Sequence, residues 1–213
     1  GHTRVIFRVV YLPEGDRVIT CSQDKTVRLA VIREAKSGGE IRHSIETGKW
    51  VFSLCFSPSG VKIATGHIDA TVRVFNVATA DLVLGPIEGH EDYVTSVLWS
   101  LDGSHLFSGS TDCTIRIWDS DTGDPVGEPW RENTDGITSL ALSLDGTRIA
   151  SASRDATVPS WDTDSGSQVG EPLEHKGSVY ALAFSPSGEF IATAGDDETV
   201  SIWRAPWWDE TQK

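Results

Sequence analysis

The sequence predicts an all-β chain built from five copies of one four-stranded unit, and three observations carry that reading. A short motif recurs as Asp24-Lys-Thr-Val, Asp69-Ala-Thr-Val, Asp112-Cys-Thr-Ile, Asp155-Ala-Thr-Val and Asp197-Glu-Thr-Val, at intervals of 45, 43, 43 and 42 residues. Five occurrences at near-constant spacing mark an internal repeat. Around each motif apolar residues alternate with period two, as on a half-buried strand. Turn-forming clusters also sit at one fixed place: Pro13-Glu-Gly15, Ser57-Pro-Ser-Gly60, Ser100-Leu-Asp-Gly103, Ser143-Leu-Asp-Gly146 and Ser185-Pro-Ser-Gly188. Gly with Asp, Ser or Pro is what a tight hairpin turn requires.

Each unit therefore has the order strand, turn, strand, Asp turn, strand. Val94–Trp99 is a representative first strand, and Ile63–Gly66, Leu106–Gly109 and Ile191–Ala194 are second strands. The third strand is fullest at Thr114–Asp119, and short fourth strands are expected at Glu40–Ile45, Asp81–Leu84, Pro125–Pro129 and Gln168–Pro172. The units run at about 1–46, 47–88, 89–131, 132–173 and 174–205, followed by a tail at 206–213. Pro159 falls in a third strand that should be paired on both sides, where its missing N–H makes a local defect.

Composition narrows the function. Net charge is -13, with 31 Asp and Glu against 18 Lys and Arg. Such a surface repels phosphate backbones and anionic headgroups, so a basic or mixed protein surface is the better partner. Apolar runs such as Val9–Leu12 fall far short of the roughly 18 residues of a membrane span. No secretory leader opens the chain, and the absence of Met suggests a piece of a longer protein. Cys21, Cys55 and Cys113 are odd in number, lie in strand-like runs and have no C-x-x-C spacing. Neither a disulfide framework nor a metal site is expected, and a reducing setting, cytoplasmic or nuclear, fits.

Gly89-His90, Asp112 and Trp118-Asp119 together resemble the signature of the WD-repeat family, over about Gly1 to Arg204. The resemblance implies a β-propeller of four-stranded blades. The Gly-Glu-Pro phrases at 127–129 and 170–172, with Trp207-Trp208, are similar to WD-repeat arrays attached to fungal signalling NTPases. Five blades are at the low end of such rings, whose blades number about four to eight, and the fifth unit lacks a segment for its outer strand. The expectation is part of a larger propeller, with an open blade edge prone to self-association.

Fixed partners surround each Asp. Twenty-two residues upstream lie His2, Thr47, His90, Asn133 and His175; four upstream, Thr20, Thr65, Ser108, Ser151 and Thr193; six downstream, Ala30, Phe75, Trp118, Trp161 and Trp203. Hydroxyl, imidazole and carboxylate together invite a catalytic-triad reading. A nucleophile and its base are needed once, however, and this set recurs in every unit. The resemblance implies instead a structural tetrad, complete as His90, Ser108, Asp112, Trp118 and as His175, Thr193, Asp197, Trp203. Its role would be to satisfy buried polar groups in one geometry. The first two units lack Trp and should be held less tightly. His43, His67 and His105 are isolated, and no nucleophile elbow, phosphate loop or H-E-x-x-H is present. No cofactor is expected.

The sequence is thus read as a non-catalytic scaffold binding a protein or peptide. The alternative is a regulatory or sensor array restraining a linked signalling NTPase; a propeller hydrolase or lectin-like module lacks a convergent site. Two positions per unit should point to the face of the Gly-His and Asp turns, according to the resemblance: Val5, Trp50, Tyr93, Gly136 and Ser178, and Gln23, Ile68, Thr111, Arg154 and Asp196. Trp50, Ile68, Tyr93, Thr111, Arg154 and Asp196 are the binding candidates, because large aromatics and Arg favour hot spots.

Overall fold

A computed structural model describes residues 1–11, 17–31 and 40–208. The described residues form antiparallel sheets joined by turns, with no helix. The turn expected at Pro13-Glu-Gly15 lies outside the described residues.

The first blade is β1 (Ile6–Tyr11), β2 (Arg17–Ser22), β3 (Thr26–Val31) and β4 (Glu40–Glu46), paired in that order. The second repeats it as β5 (Val51–Phe56), β6 (Lys62–His67), β7 (Val72–Asn76) and β8 (Leu82–Ile87). β9 (Val94–Trp99), β10 (His105–Ser110) and β11 (Ile115–Asp119) make the third, and β17 (Val179–Phe184), β18 (Phe190–Gly195) and β19 (Val200–Arg204) the fifth. In the fourth, β12 (Ile137–Leu142) pairs with β13 (Arg148–Ser153), and the third strand is split into β14 (Thr157–Val158) and β15 (Ser160–Asp162). The break falls on Pro159, as the lost donor dictates, while its carbonyl still accepts from Ser151 N at 3.1 Å.

The hairpin turns share one chemistry. Gly60, Gly103, Gly146 and Gly188 donate N–H to the carbonyls of Ser57, Ser100, Ser143 and Ser185 at 2.8–3.1 Å. Each glycine has φ between +69° and +82°, which explains the residue choice. The serine hydroxyl closes the turn from the other side, as in His105 N to Ser100 Oγ at 2.9 Å.

Two expectations need correction. The segments Pro125–Pro129 and Gln168–Pro172 are not continuous strands. Pairing there is reduced to isolated bridges, Trp118 with Pro125, Ile115 with Trp130 and Trp161 with Gln168, plus a two-residue β16 (Leu173–Glu174) beside β14. The prolines remove donors, and Gly127 and Gly170 at φ +70° and +68° turn the chain off the strand path. Cys113 is not in a strand either. It sits in the Asp turn at φ +68°, like Lys25, Ala70, Ala156 and Glu198 in the other blades.

The chain divides into two compact units, Gly1–Ser108 with Ile117–Val126, and Gly109–Arg116 with Gly127 onward. In the first, Cys21, Val27 and Leu29 of blade 1 bury against Val51, Leu54 and Ile63 of blade 2. The same joint recurs between Ala64, Val72 and Val74 and Val94, Val97, Leu106 and Trp118. In the second unit Ala150, Ala152 and Val158 meet Val179, Leu182 and Ile191, with Trp207 and Trp208 packed on the same cluster. The tail through Trp208 is strandless but docked, its Trp208 N–H reaching Ala205 O at 2.9 Å. No helix among the described residues is long and apolar enough to cross a membrane.

Candidate protein-interaction face

The polar residues around each Asp are built outward from the turn. The aspartate two residues before the motif threonine accepts from that threonine's N–H and hydroxyl, as in Thr157 to Asp155 Oδ1 at 2.9 and 2.6 Å. In blades 1, 2, 4 and 5 the turn carboxyl is held below the ordinary range. In blades 1, 2 and 4 burial is the largest influence and pushes upward, but it is outweighed by hydrogen bonds led by the threonine in blades 1 and 4, and in blade 2 by the Thr71 hydrogen bond with the neighbouring charges, Arg73 first. In blade 5 the Thr199 bonds lead.

Behind the turn runs a directed chain of bonds. Trp203 Nε1–H donates to Thr193 Oγ1 at 2.8 Å, and that hydroxyl meets His175 Nε2 at 2.9 Å. His175 Nδ1 faces Asp197 at 3.4 Å, and its ring lies edge-on to Trp203. Blade 3 repeats the inner part, with Trp118 to Ser108 at 2.8 Å and Ser108 to His90 at 2.7 Å. In blade 4 Asn133 stands in for His. Its Oδ1 accepts from Ser151 at 2.9 Å and its Nδ2 donates to Asp155 at 3.3 Å, so one amide supplies both ends of an imidazole's role. Blade 1 keeps His2, Thr20 and Asp24 at 2.7 and 2.9 Å without a tryptophan.

Blade 2 is rebuilt. Thr47, in the His position, donates to backbone carbonyls of Lys25 and Lys49, both at 2.8 Å. Asp69 pairs instead with Arg73 at 2.8 Å, and Arg73 Nη1 also reaches Thr47 O at 2.6 Å. The buried His67 meets Thr65 Oγ1 at 2.8 Å. Burial, with the nearby Arg73 cation, pushes its pKa down to about 3. The sequence reading left His67 as an isolated histidine; its signal was its place two residues after Thr65, in the one unit lacking both His and Trp.

The first strands share a repeated irregularity. Pairing with the second strand shifts register between Ile6 and Arg8, Val51 and Ser53, Ile137 and Ser139, and Val179 and Ala181. A bulge of this kind re-aims the extra residue, here Phe7, Phe52, Thr138 and Tyr180. In the first unit Phe7 and Phe52 have ring centroids 4.9 Å apart, and Phe52 and Tyr93 are 5.7 Å apart. Tyr93 is 44% exposed and Phe7 is exposed, with Phe52 half-buried between them. Trp50 and Ile68 are half-buried in the same unit, tied by Ile68 N to Trp50 O at 3.1 Å.

In the second unit Thr111 is half-buried against Gly136, while Arg154 and Asp196 are exposed. Arg154 N bonds Gly136 O at 3.0 Å, and Asp196 N bonds Ser178 O at 2.8 Å. The Asp196 carboxylate also accepts from Tyr180 Oη at 3.0 Å. In both units, then, the two candidate positions are linked by a backbone hydrogen bond. Sequence reasoning missed Phe7, Phe52 and Tyr180. A signal existed, since buried apolar residues of first strands are spaced by three, as in Val51 and Leu54 or Val94 and Val97, which strict alternation does not allow.

Among the described residues no group of three or more His, Cys, Asp or Glu is placed to hold a metal ion. Cys21, Cys55 and Cys113 are free thiols, and burial raises the first two to about 12.

Comparison with known proteins agrees with this geometry. A stretch of 103 residues is 32% identical to guanine nucleotide-binding protein subunit beta-1 of Nicotiana tabacum, covering 45% of this chain and 26% of that protein. The corresponding subunit beta of Arabidopsis thaliana is 32% identical over 102 residues, with the same coverage. Ribosome biogenesis protein ERB1 of Yarrowia lipolytica is 59% identical over 29 residues, 14% of this chain and 4% of that protein. The matched stretch thus spans about a quarter of the plant subunits' length. The profile described as WD domain, G-beta repeat matches residues 1–29, 39–76, 83–119, 124–162 and 166–204, one segment for each blade, and the chain belongs to that WD-repeat family of β-propeller proteins.

Proposed function

We propose that this chain is a non-catalytic scaffold that binds a protein or peptide on the face of its Gly-His and Asp turns. The observation that carries the reading is the row of rings Phe7, Phe52 and Tyr93, partly open to solvent beside Trp50 and Ile68. Rigid aromatic side chains bury much area at modest entropic cost, and they dominate binding hot spots. In the second unit, Thr111, Arg154 and Asp196 offer polar contacts. A net charge of -13 favours a basic or mixed protein surface over nucleic acid or an anionic membrane. The plant relatives are by name subunits, in keeping with a role in assembly. The narrower reading, an array restraining a linked NTPase, rests on the Gly-Glu-Pro phrases and calls for a phosphate-binding loop in the full-length product.

A photo-crosslinking residue placed at Tyr93 tests the face. It should capture one discrete partner that the same residue at Leu144, exposed elsewhere, does not capture. Equal capture at both positions would overturn the assignment.

A further inference from the structure

In blade 5 the bulge residue of the first strand is tied to the residue just before the turn Asp. Tyr180 Oη donates to a carboxylate oxygen of Asp196 at 3.0 Å. Blades 1, 2 and 4 carry the same bulge, but with pairs that cannot make this bond: Phe7 with Gln23, Phe52 with Ile68, and Thr138 with Arg154. In blade 4 the Thr138 hydroxyl goes instead to the carbonyls of Ala152 and Val179. Those blades keep the bulge and the Asp turn without a phenol–carboxylate bond. The fold therefore does not require the bond, and its use lies elsewhere.

The carboxylate is held in place. Asp196 N–H donates to Ser178 O at 2.8 Å, and a Cβ added at Gly177 would lie 3.2 Å from that of Asp196. The backbone of Asp196 is thus seated on the Gly177-Ser178 segment, while Tyr180 fixes the head group. Tyr180 is 49% exposed and Asp196 is exposed as well. Among the described residues no Lys or Arg is paired with Asp196, and Tyr180 takes one of the roughly four bonds a carboxylate accepts.

An open aromatic face beside a fixed negative charge attracts a cation by both groups at once. An anion would be repelled, and an apolar group would leave the carboxylate desolvated without a partner. Lys and Arg suit the pair best, because each carries an apolar stem for the ring and a charged head for the carboxylate. The net charge of -13 acts in the same direction.

We propose that the partner presents a Lys or Arg side chain to blade 5, its stem on the Tyr180 ring and its head at the Asp196 carboxylate. The proposal rests on the scaffold reading and names the chemistry of the partner at this position.

The test is a titration of the isotope-labelled chain, followed by amide NMR, with N-acetylarginine methylamide and its neutral citrulline counterpart of the same shape. The arginine probe should shift the Tyr180 and Asp196 amides to saturation, and the citrulline probe should bind there about threefold or more weakly. Asp196→Asn keeps an acceptor for Tyr180 but removes the charge, and should weaken the arginine probe by a similar factor while leaving the citrulline probe unchanged. Tyr180→Ala should weaken both probes. Asp164→Asn, at an exposed carboxylate in another turn, should alter neither. No saturable shift at Tyr180 and Asp196, equal affinity for the two probes, or parent-like binding of the arginine probe in Asp196→Asn or Tyr180→Ala would each overturn the proposal. Capture through Tyr93 is a separate measurement, so failure of this contact and failure of the scaffold reading give different results.

Discussion

In blade 2 the hydroxyl of Thr65 and Nε2 of His67 lie 2.8 Å apart, so the imidazole that meets the hydroxyl comes from the same strand, whereas His90 and His175 reach it from 18 residues upstream in blades 3 and 5. There, Trp118 and Trp203 donate into the hydroxyl that meets the histidine. Phe75 occupies the tryptophan position of blade 2 and has no N–H. The Thr65 hydroxyl donates to Arg73 O at 3.0 Å, and His67 is its side-chain partner. An imidazole has thus replaced the indole, while Arg73 has replaced the imidazole beside Asp69.

This makes blade 2 sensitive to acid. Burial holds the folded pKa of His67 at about 3, against an ordinary 6.5. Between those values the unfolded chain binds a proton that the fold excludes, so the contribution is present above pH 6.5 and is lost as pH falls towards 3. The slope is at most about 1.4 kcal/mol per pH unit for one group. Denaturant midpoints measured from pH 7 to 4.5 should fall less steeply in His67→Gln, which keeps an N–H donor but does not titrate. Identical slopes for parent and variant would contradict the assignment.

Thr193 is the hub of the blade 5 network, accepting from Trp203 and meeting His175. Thr193→Val keeps the shape and orphans both partners, at about 1–3 kcal/mol each. Chemical denaturation should show a loss several times that of Ser187→Ala in an exposed turn; comparable losses would mean that the network carries little stability.

The residue after each turn Asp is left-handed although none is Gly, a conformation that costs an L-residue about 1–2 kcal/mol. Ala70→Gly should therefore raise stability by up to about 1 kcal/mol, after allowing for the added freedom of the unfolded chain. The converse holds at Gly166. It has φ +68°, and an added Cβ would lie 2.3 Å from Nε1 of Trp130, itself stacked on Trp161. Gly166→Ala should destabilise the fold by more than the left-handed penalty alone. Thermal unfolding of the two variants checks both signs.

The repeat, the hairpin turns and the break at Pro159 were legible because each depends on local chemistry: a period, a glycine with positive φ, a missing donor. The outer segments of blades 3 and 4 were not, because Pro125, Pro129 and Pro172 interrupt pairing that apolar pattern alone suggests. Cys113 was misread as a strand residue because the Asp turn, pinned by its own side chain to the following threonine, accepts residues that carry no turn signal. The same limit hid the binding candidates Phe7 and Phe52. Their direction is set by a bulge, and a bulge is a property of pairing between strands. His67 was hidden for a related reason, since its role exists only through what Thr47 and Phe75 lack.

The scaffold reading rests most directly on the ring row of the first unit, and one titration tests it. Once a partner has been captured through Tyr93, its affinity should be measured calorimetrically for the parent, Phe52→Ala, Tyr93→Ala and Leu144→Ala, each shown to be folded. Truncating a hot-spot aromatic costs about 2 kcal/mol or more, so Phe52→Ala and Tyr93→Ala should each weaken binding at least tenfold while Leu144→Ala leaves it unchanged. Parent-like affinity in both aromatic variants would show that the partner is held elsewhere and that the turn face is not the site.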